Sequence, residues 1–229
     1  MADRRKTKRR WFQISLRTLL VLFLLSGVLF GWMGHRLSYA RRQRAAVEEI
    51  TTLGGMVGYR VAWSTSAEEP WLKESWIPRW LVGLLGDDFF LNATGVRLGG
   101  GGIRNQHLVH LQPLTHLRHL TLSGSRITDE GMVHLQPFRR LESLELEGTR
   151  ISDDGLAQLP HLPRLRHLDV CWTDVTEEGL LHLREAQQLE KLYIIEARVT
   201  PSGVRELEET FPDAKIYDRF WRTSAETYP

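Results

Sequence analysis

Four side chains near the middle of the chain have types that do chemistry. His119 and His167 are imidazoles that can serve as a base, Asp169 is a carboxylate and Cys171 is a thiol. A base beside a thiol makes a nucleophile, and His and Cys also ligate zinc. A hydrolase or metal-binding site around His119, His167 and Cys171 is therefore one reading of this region. The spacing argues against it. On the repeat described below, His119 and His167 fall two strands apart, about 10 Å at ordinary strand spacing. That is too far to share a zinc at normal bond lengths. No C-x-x-C pair and no G-x-S-x-G turn is present. The Gly-rich stretch LGGGGIRN (98–105) is not followed by the Lys-Ser/Thr of a phosphate loop. The expectation is a non-enzymatic chain with no metal and no cofactor.

What positions these side chains is a repeat. RITDEG (126–131) returns as RISDDG (150–155), 24 residues later, and four clear copies begin at Leu117, Leu141, Leu165 and Leu189. A worn copy begins at Ala93, and a half copy at the end contributes Ile216. Numbering each copy from that first residue, positions 4 and 6 (Leu144, Leu146) alternate inward on a short strand. Position 11 is Ile127, Ile151, Val175 or Val199, and position 12 is Thr128, Ser152, Thr176 or Thr200. Hydroxyls at position 12 read as helix N-caps, and the acids after them in three copies (Asp129-Glu130, Asp153-Asp154, Glu177-Glu178) suit a helix N-terminus. Leu156 and Leu159 give one apolar stripe of a short helix. A single copy cannot bury that surface, whereas stacked copies can.

The pattern L-x-x-L-x-L-x-G-[ST]-x-[IV]-[ST]-D-x-G-L-x-x-L resembles the leucine-rich-repeat family. With the basic N-terminus, RRWFQISLRTLL and LGDDFF, the chain resembles the membrane-anchored repeat proteins of planctomycete bacteria. The repeats also resemble those of F-box adaptors, although no stretch ahead of them reads as an F-box. The resemblance implies an α/β solenoid over 93–217, with parallel strands on a concave face and short helices on the convex face. It also implies a protein-binding role. Many family members carry Asn at position 9, where its amide stitches the turns. Here position 9 holds Ser125, Thr149, Thr173 and Ala197, and a ladder of hydroxyls is expected instead.

Outward strand positions line the concave face. Position 3 is Gly95, His119, Ser143, His167 and Lys191; position 5 is Arg97, Thr121, Glu145, Asp169 and Tyr193. Position 7 includes Ser123, Glu147, Cys171 and Ile195. Position 2 alternates Arg118, Glu142, Arg166 and Glu190, which reads as a structural ladder of ion pairs. Trp172 stands at position 8, where three copies carry Gly100, Gly124 and Gly148, and is either a binding anchor or a cover for neighbouring turns. The contacts expected for a protein partner are His119, Thr121, Glu145, His167, Asp169, Trp172, Lys191 and Tyr193. His110, His134 and His182 share position 18 and read as solvated.

The ends of the chain differ in charge and hydropathy. Residues 1–44 hold 11 of the 30 Lys and Arg and one of the 28 acids, so the remaining 185 residues are net −8. An acidic body argues against nucleic-acid binding. Residues 14–34 form an apolar stretch with one charge, Arg17, long enough to cross a membrane as a helix. Trp11 and Trp32 flank it, and six basic residues precede it within a 13-residue tail. This arrangement favours a single-pass protein of the cytoplasmic or inner membrane, with a cytoplasmic N-terminus and the repeats outside. A cleaved signal peptide ending near Ser38-Tyr39-Ala40 is the alternative, with Arg36 speaking against it. Residues 35–92 are expected to cap the solenoid: a helix over 38–52, a strand over 56–63 and a helix over 71–85. Trp63, Trp71, Trp76 and Trp80 would fill this cap. The tail 218–229, with Phe220 and Trp221, is expected to fold back at the far end. The lone Cys171 excludes an internal disulfide.

Overall fold

The computed structural model describes residues 16–59, 84, 89, 91–159, 162–184 and 188–218. Apart from Leu84, the expected helix over 71–85 lies outside the described residues, as do the four tryptophans assigned to it and its neighbour, and Phe220 and Trp221. The chain divides into two units, residues 1–39 and 40–229.

In the first unit the chain is helical from Leu16 onward, in helix α1 (Leu16–Thr52). Leu19 to Leu25 and Val28 to Phe30 are exposed almost throughout. By length and composition α1 is long and apolar enough to cross a membrane.

The second unit begins within α1, where Ala40, Gln43, Ala46 and Ile50 form a buried stripe at helical spacing. Gln43 is an amide clamp: its Nε2 donates to Leu91 O and its Oε1 accepts from Ala93 N–H, both at 3.0 Å. The helix stops at Gly54, whose φ of +79° is the left-handed turn that glycine adopts freely. Strand β1 (Met56–Gly58) then pairs antiparallel with β2 (Gly95–Arg97). Parallel strands β3 (His119–Thr121), β4 (Ser143–Glu145), β5 (His167–Asp169), β6 (Lys191–Tyr193) and β7 (Lys215–Tyr217) follow in order in one seven-stranded sheet. Each pairs in register exactly one 24-residue period on, as Leu120 with Leu144 and Leu144 with Leu168.

Between strands the chain returns over the convex side. It does so in two 3₁₀ segments, η1 (Asn105–Leu111) and η2 (Asp129–Leu135), then in α2 (Asp153–Ala157), α3 (Glu177–Leu181) and α4 (Pro201–Thr210). The first two of the expected short helices are wound as 3₁₀ helix. A 3₁₀ wind covers about 2.0 Å per residue against about 1.5 Å, which suits a short crossing. Columns of leucine fill the interior. Leu117, Leu141 and Leu165, Leu120, Leu144, Leu168 and Leu192, and Ile127 and Ile151 are fully buried or within 1% of it. Each such side chain contributes about 1.5–3 kcal/mol by leaving water.

The seam between copies is built differently from the expected hydroxyl ladder. Thr149 and Thr173 donate to carbonyls of their own turns, Leu146 O and Val170 O, each at 2.6 Å. Ser125 Oγ is buried without a partner among the described residues. The stitching runs instead from position 13 to position 12 of the next copy. Asp129 accepts from the N–H and hydroxyl of Ser152, both at 2.7 Å. Asp153 accepts from the N–H and hydroxyl of Thr176, at 2.8 and 2.7 Å. Glu177 does the same with Thr200, and Asn105 bonds Thr128.

Two expectations change together. The position-13 acids brace the next copy as well as standing in a first helical turn. The position-12 hydroxyls of Thr128 and Ser152 bond the copy before and make no side-chain cap. Thr176 and Thr200 do cap, accepting from Glu178 N–H and Gly203 N–H. The G of the D-x-G motif follows from the same contact. A Cβ on Gly131, Gly155, Gly179 or Gly203 would lie under 3.0 Å from the preceding copy's position-13 side chain.

Candidate functional site

Strand pairing sets which side chains share the concave face. His119, Ser143, His167, Lys191 and Lys215 follow one another in register, as do Thr121, Glu145, Asp169, Tyr193 and Tyr217. Over β4, β5 and β6 the face is hollowed into a groove of about 510 Å³. Six of the eight contacts expected from sequence line it: Glu145, His167, Asp169, Trp172, Lys191 and Tyr193. His119 and Thr121 do not. They lie one strand away on β3, and Thr121 is buried.

Ser143, Glu147 and Ile195, which sequence had placed on this face without singling them out, also line the groove, as does Cys171. Tyr217 was missed. Its ring stacks on Tyr193 at 4.5 Å between centroids and 9° between planes. The signal for it was the return of Lys191-Leu192-Tyr193 as Lys215-Ile216-Tyr217, one period later.

Trp172 stands at the rim with φ +56°, in the left-handed turn that Gly100, Gly124 and Gly148 occupy in earlier copies. A bulky L-residue there costs roughly 1–2 kcal/mol. Burial does not offset that cost, because Trp172 is 60% exposed. Its backbone N–H still donates to Ile195 O at 3.0 Å, so the turn keeps its place in the stack.

Charge is unevenly spread over the face. Three acids, Glu145, Glu147 and Asp169, line the groove with one lysine, Lys191. Asp169 Oδ1 accepts from Cys171 N–H at 2.9 Å, which fixes its carboxylate in the turn. The position-2 ladder forms as Arg118–Glu142 at 3.3 Å and as the pair Arg166–Glu190. His167 Nε2 lies 3.6 Å from Glu190 Oε2. Burial holds the His119 pKa below its usual value, opposed by Glu142 and Glu145 and helped by His167 and Arg118. Its Nε2 is buried with no partner among the described residues.

Burial first, and then the bond and charge of Asp169, push the Cys171 thiol up to about 12. Nucleophilic attack and zinc ligation both need the thiolate. At neutral pH Cys171 is a small, protonated wall of the groove. Among the described residues no three His, Cys, Asp or Glu side chains converge as metal ligands would.

Residues 114–135, the end of one copy and the strand, turn and η2 of the next, match the model of a family described as a leucine-rich repeat. The match supports a leucine-rich-repeat family. No curated protein matches the chain. Among solved leucine-rich-repeat structures it is similar to a protein of Leptospira interrogans, at 20% identity over 47% of this chain and 27% of that one, with a TM-score of 0.37. The ectodomain of a receptor kinase from Arabidopsis thaliana matches at 18% identity over 78% of this chain and 91% of that one, with a TM-score of 0.41. An internalin from Listeria monocytogenes matches at 18% identity over 60% of this chain and 47% of that one, with a TM-score of 0.39. The chain thus spans about a quarter of the Leptospira protein and just under half of the internalin.

Proposed function

We propose that this chain is a membrane-anchored, non-enzymatic interaction module whose leucine-rich repeats present their concave sheet to a protein partner outside the cytoplasm. The observation that carries the reading is Trp172. A large ring is held in a left-handed turn, mostly exposed, at the rim of a groove in the sheet. Trp is among the residue types enriched in the hot spots that anchor protein interfaces. The exposed apolar length of α1 and the dense positive charge ahead of it support the anchor and its orientation.

The test is a paired capture. Full-length protein in detergent is the first bait. The second carries His119→Ala, His167→Ala, Trp172→Ala and Tyr193→Ala and is checked for unchanged thermal unfolding. A partner held by the first bait and released by the second supports the concave face. The same partner on both moves recognition elsewhere on the molecule.

A further inference from the structure

The proposed interaction surface has a chemistry that narrows its partner. Glu145 and Glu147 lie two residues apart on one side of β4 and its extension, and Asp169 is the in-register neighbour of Glu145 on β5. Neighbouring strands are about 4.8 Å apart, so the three carboxylates stand over one patch of groove floor. None of the described residues supplies Glu145 or Glu147 with an ion-pair partner, whereas the position-2 acids Glu142 and Glu190 each have an arginine. Trp172 lines the same groove.

A second observation is independent of charge. Ser143 is only 9% exposed and lines the groove, yet its hydroxyl makes no hydrogen bond to any described residue. It lies two residues before Glu145 on the same face of β4. The residue is buried but its hydroxyl oxygen is not enclosed, so it can bond water or an arriving group.

We propose that the groove takes an extended, positively charged peptide segment, with a Lys or Arg side chain over Glu145, Glu147 and Asp169 beside Trp172 and a backbone amide on Ser143. The assignment rests on the concave-face reading above. A guanidinium or ammonium group is matched by carboxylates on one side and by an aromatic face on the other.

The probe is a fluorescent nona-arginine peptide titrated onto the full chain in detergent at about 0.15 M salt, where distant charges are screened. Nona-glutamate and a Gly-Ser peptide are the controls. The groove variant is Glu145→Gln, Glu147→Gln and Asp169→Asn. A matched variant removes three exposed acids of α4 by Glu206→Gln, Glu208→Gln and Glu209→Gln. The groove variant should weaken nona-arginine binding about tenfold or more, and the α4 variant less than about twofold. Trp172→Ala and Ser143→Ala should each weaken it a few-fold.

Equal losses in the two triple variants would overturn the proposal, because bulk charge would then explain the binding. So would no binding of nona-arginine, or tighter binding of nona-glutamate. If the groove variant fails to fold, the exposed Glu147→Gln alone carries the test, with about threefold loss expected and unchanged affinity contradicting it. If the paired capture depends on the concave face but nona-arginine binding does not, the surface stands and its charge assignment falls.

Discussion

Acids occur at two recurring places in this molecule, and they meet different fates. On the seam, Asp129, Asp153 and Glu177 each accept two hydrogen bonds from the next copy, and a glycine there makes room for them. On the concave face, Glu145 and Glu147 make no such bonds among the described residues and look into a groove. The seam acids are committed to stacking. The groove acids are left available to a ligand. One residue type thus does structural service in one place and is held in reserve in the other, and backbone geometry decides which.

The comparison can be broken in several ways. The largest effect is expected from the shared core: Leu168→Ala should lower stability by about 2–5 kcal/mol in denaturant unfolding, because the site is fully enclosed. A loss well under 1 kcal/mol would mean that the copies are not packed as described. Next is the seam. Asp153→Ala should cost about 1.5–3 kcal/mol, since it leaves the Thr176 N–H without its charged acceptor. Asp153→Asn should be nearly neutral, because Asn105 already fills that position against Thr128. Equal losses for the two would contradict the ladder. Removing the groove acids should change stability by no more than about 0.5 kcal/mol in the same assay.

The smallest effect concerns pH. His119 is held below its ordinary value by burial, so its contribution to stability is present above pH 6.5 and is lost as pH falls from 6.5 toward its lower folded pKa. Thermal melts between pH 7.5 and 5 should decline less in His119→Gln than in the parent. Parallel curves would remove His119 from that pH dependence.

Much of this fold was legible in advance, because a 24-residue period with alternating apolar positions permits few arrangements. Leu144 and Leu146 read as inward and are fully buried. The seam was harder to read. Position 9 drew attention by lacking the amide that the resemblance implies, yet its hydroxyls turn back on their own turns. The stitching acid at position 13 already had a local explanation as a helix-start residue, which hid its longer reach. The glycine two residues later was the clue, since only a close approach from another copy explains its absence of a side chain. Six of the eight expected concave contacts come together in the groove because strand register follows the period. His119 and Thr121 fall outside it because the hollow begins at β4, and sheet curvature of that kind is not written in any single copy. Tyr217 was passed over because the half copy was scored on Ile216 alone.

The most direct test of the account is a single substitution read in two assays. Trp172→Gly restores the residue type that earlier copies carry in the same left-handed turn. If Trp172 is kept for a partner, the variant should unfold about 1 kcal/mol later than the parent while losing the partner captured by the full-length bait. A variant that unfolds earlier and still holds the partner would show that the ring serves the fold, and it would contradict the assignment of this groove as the interaction surface.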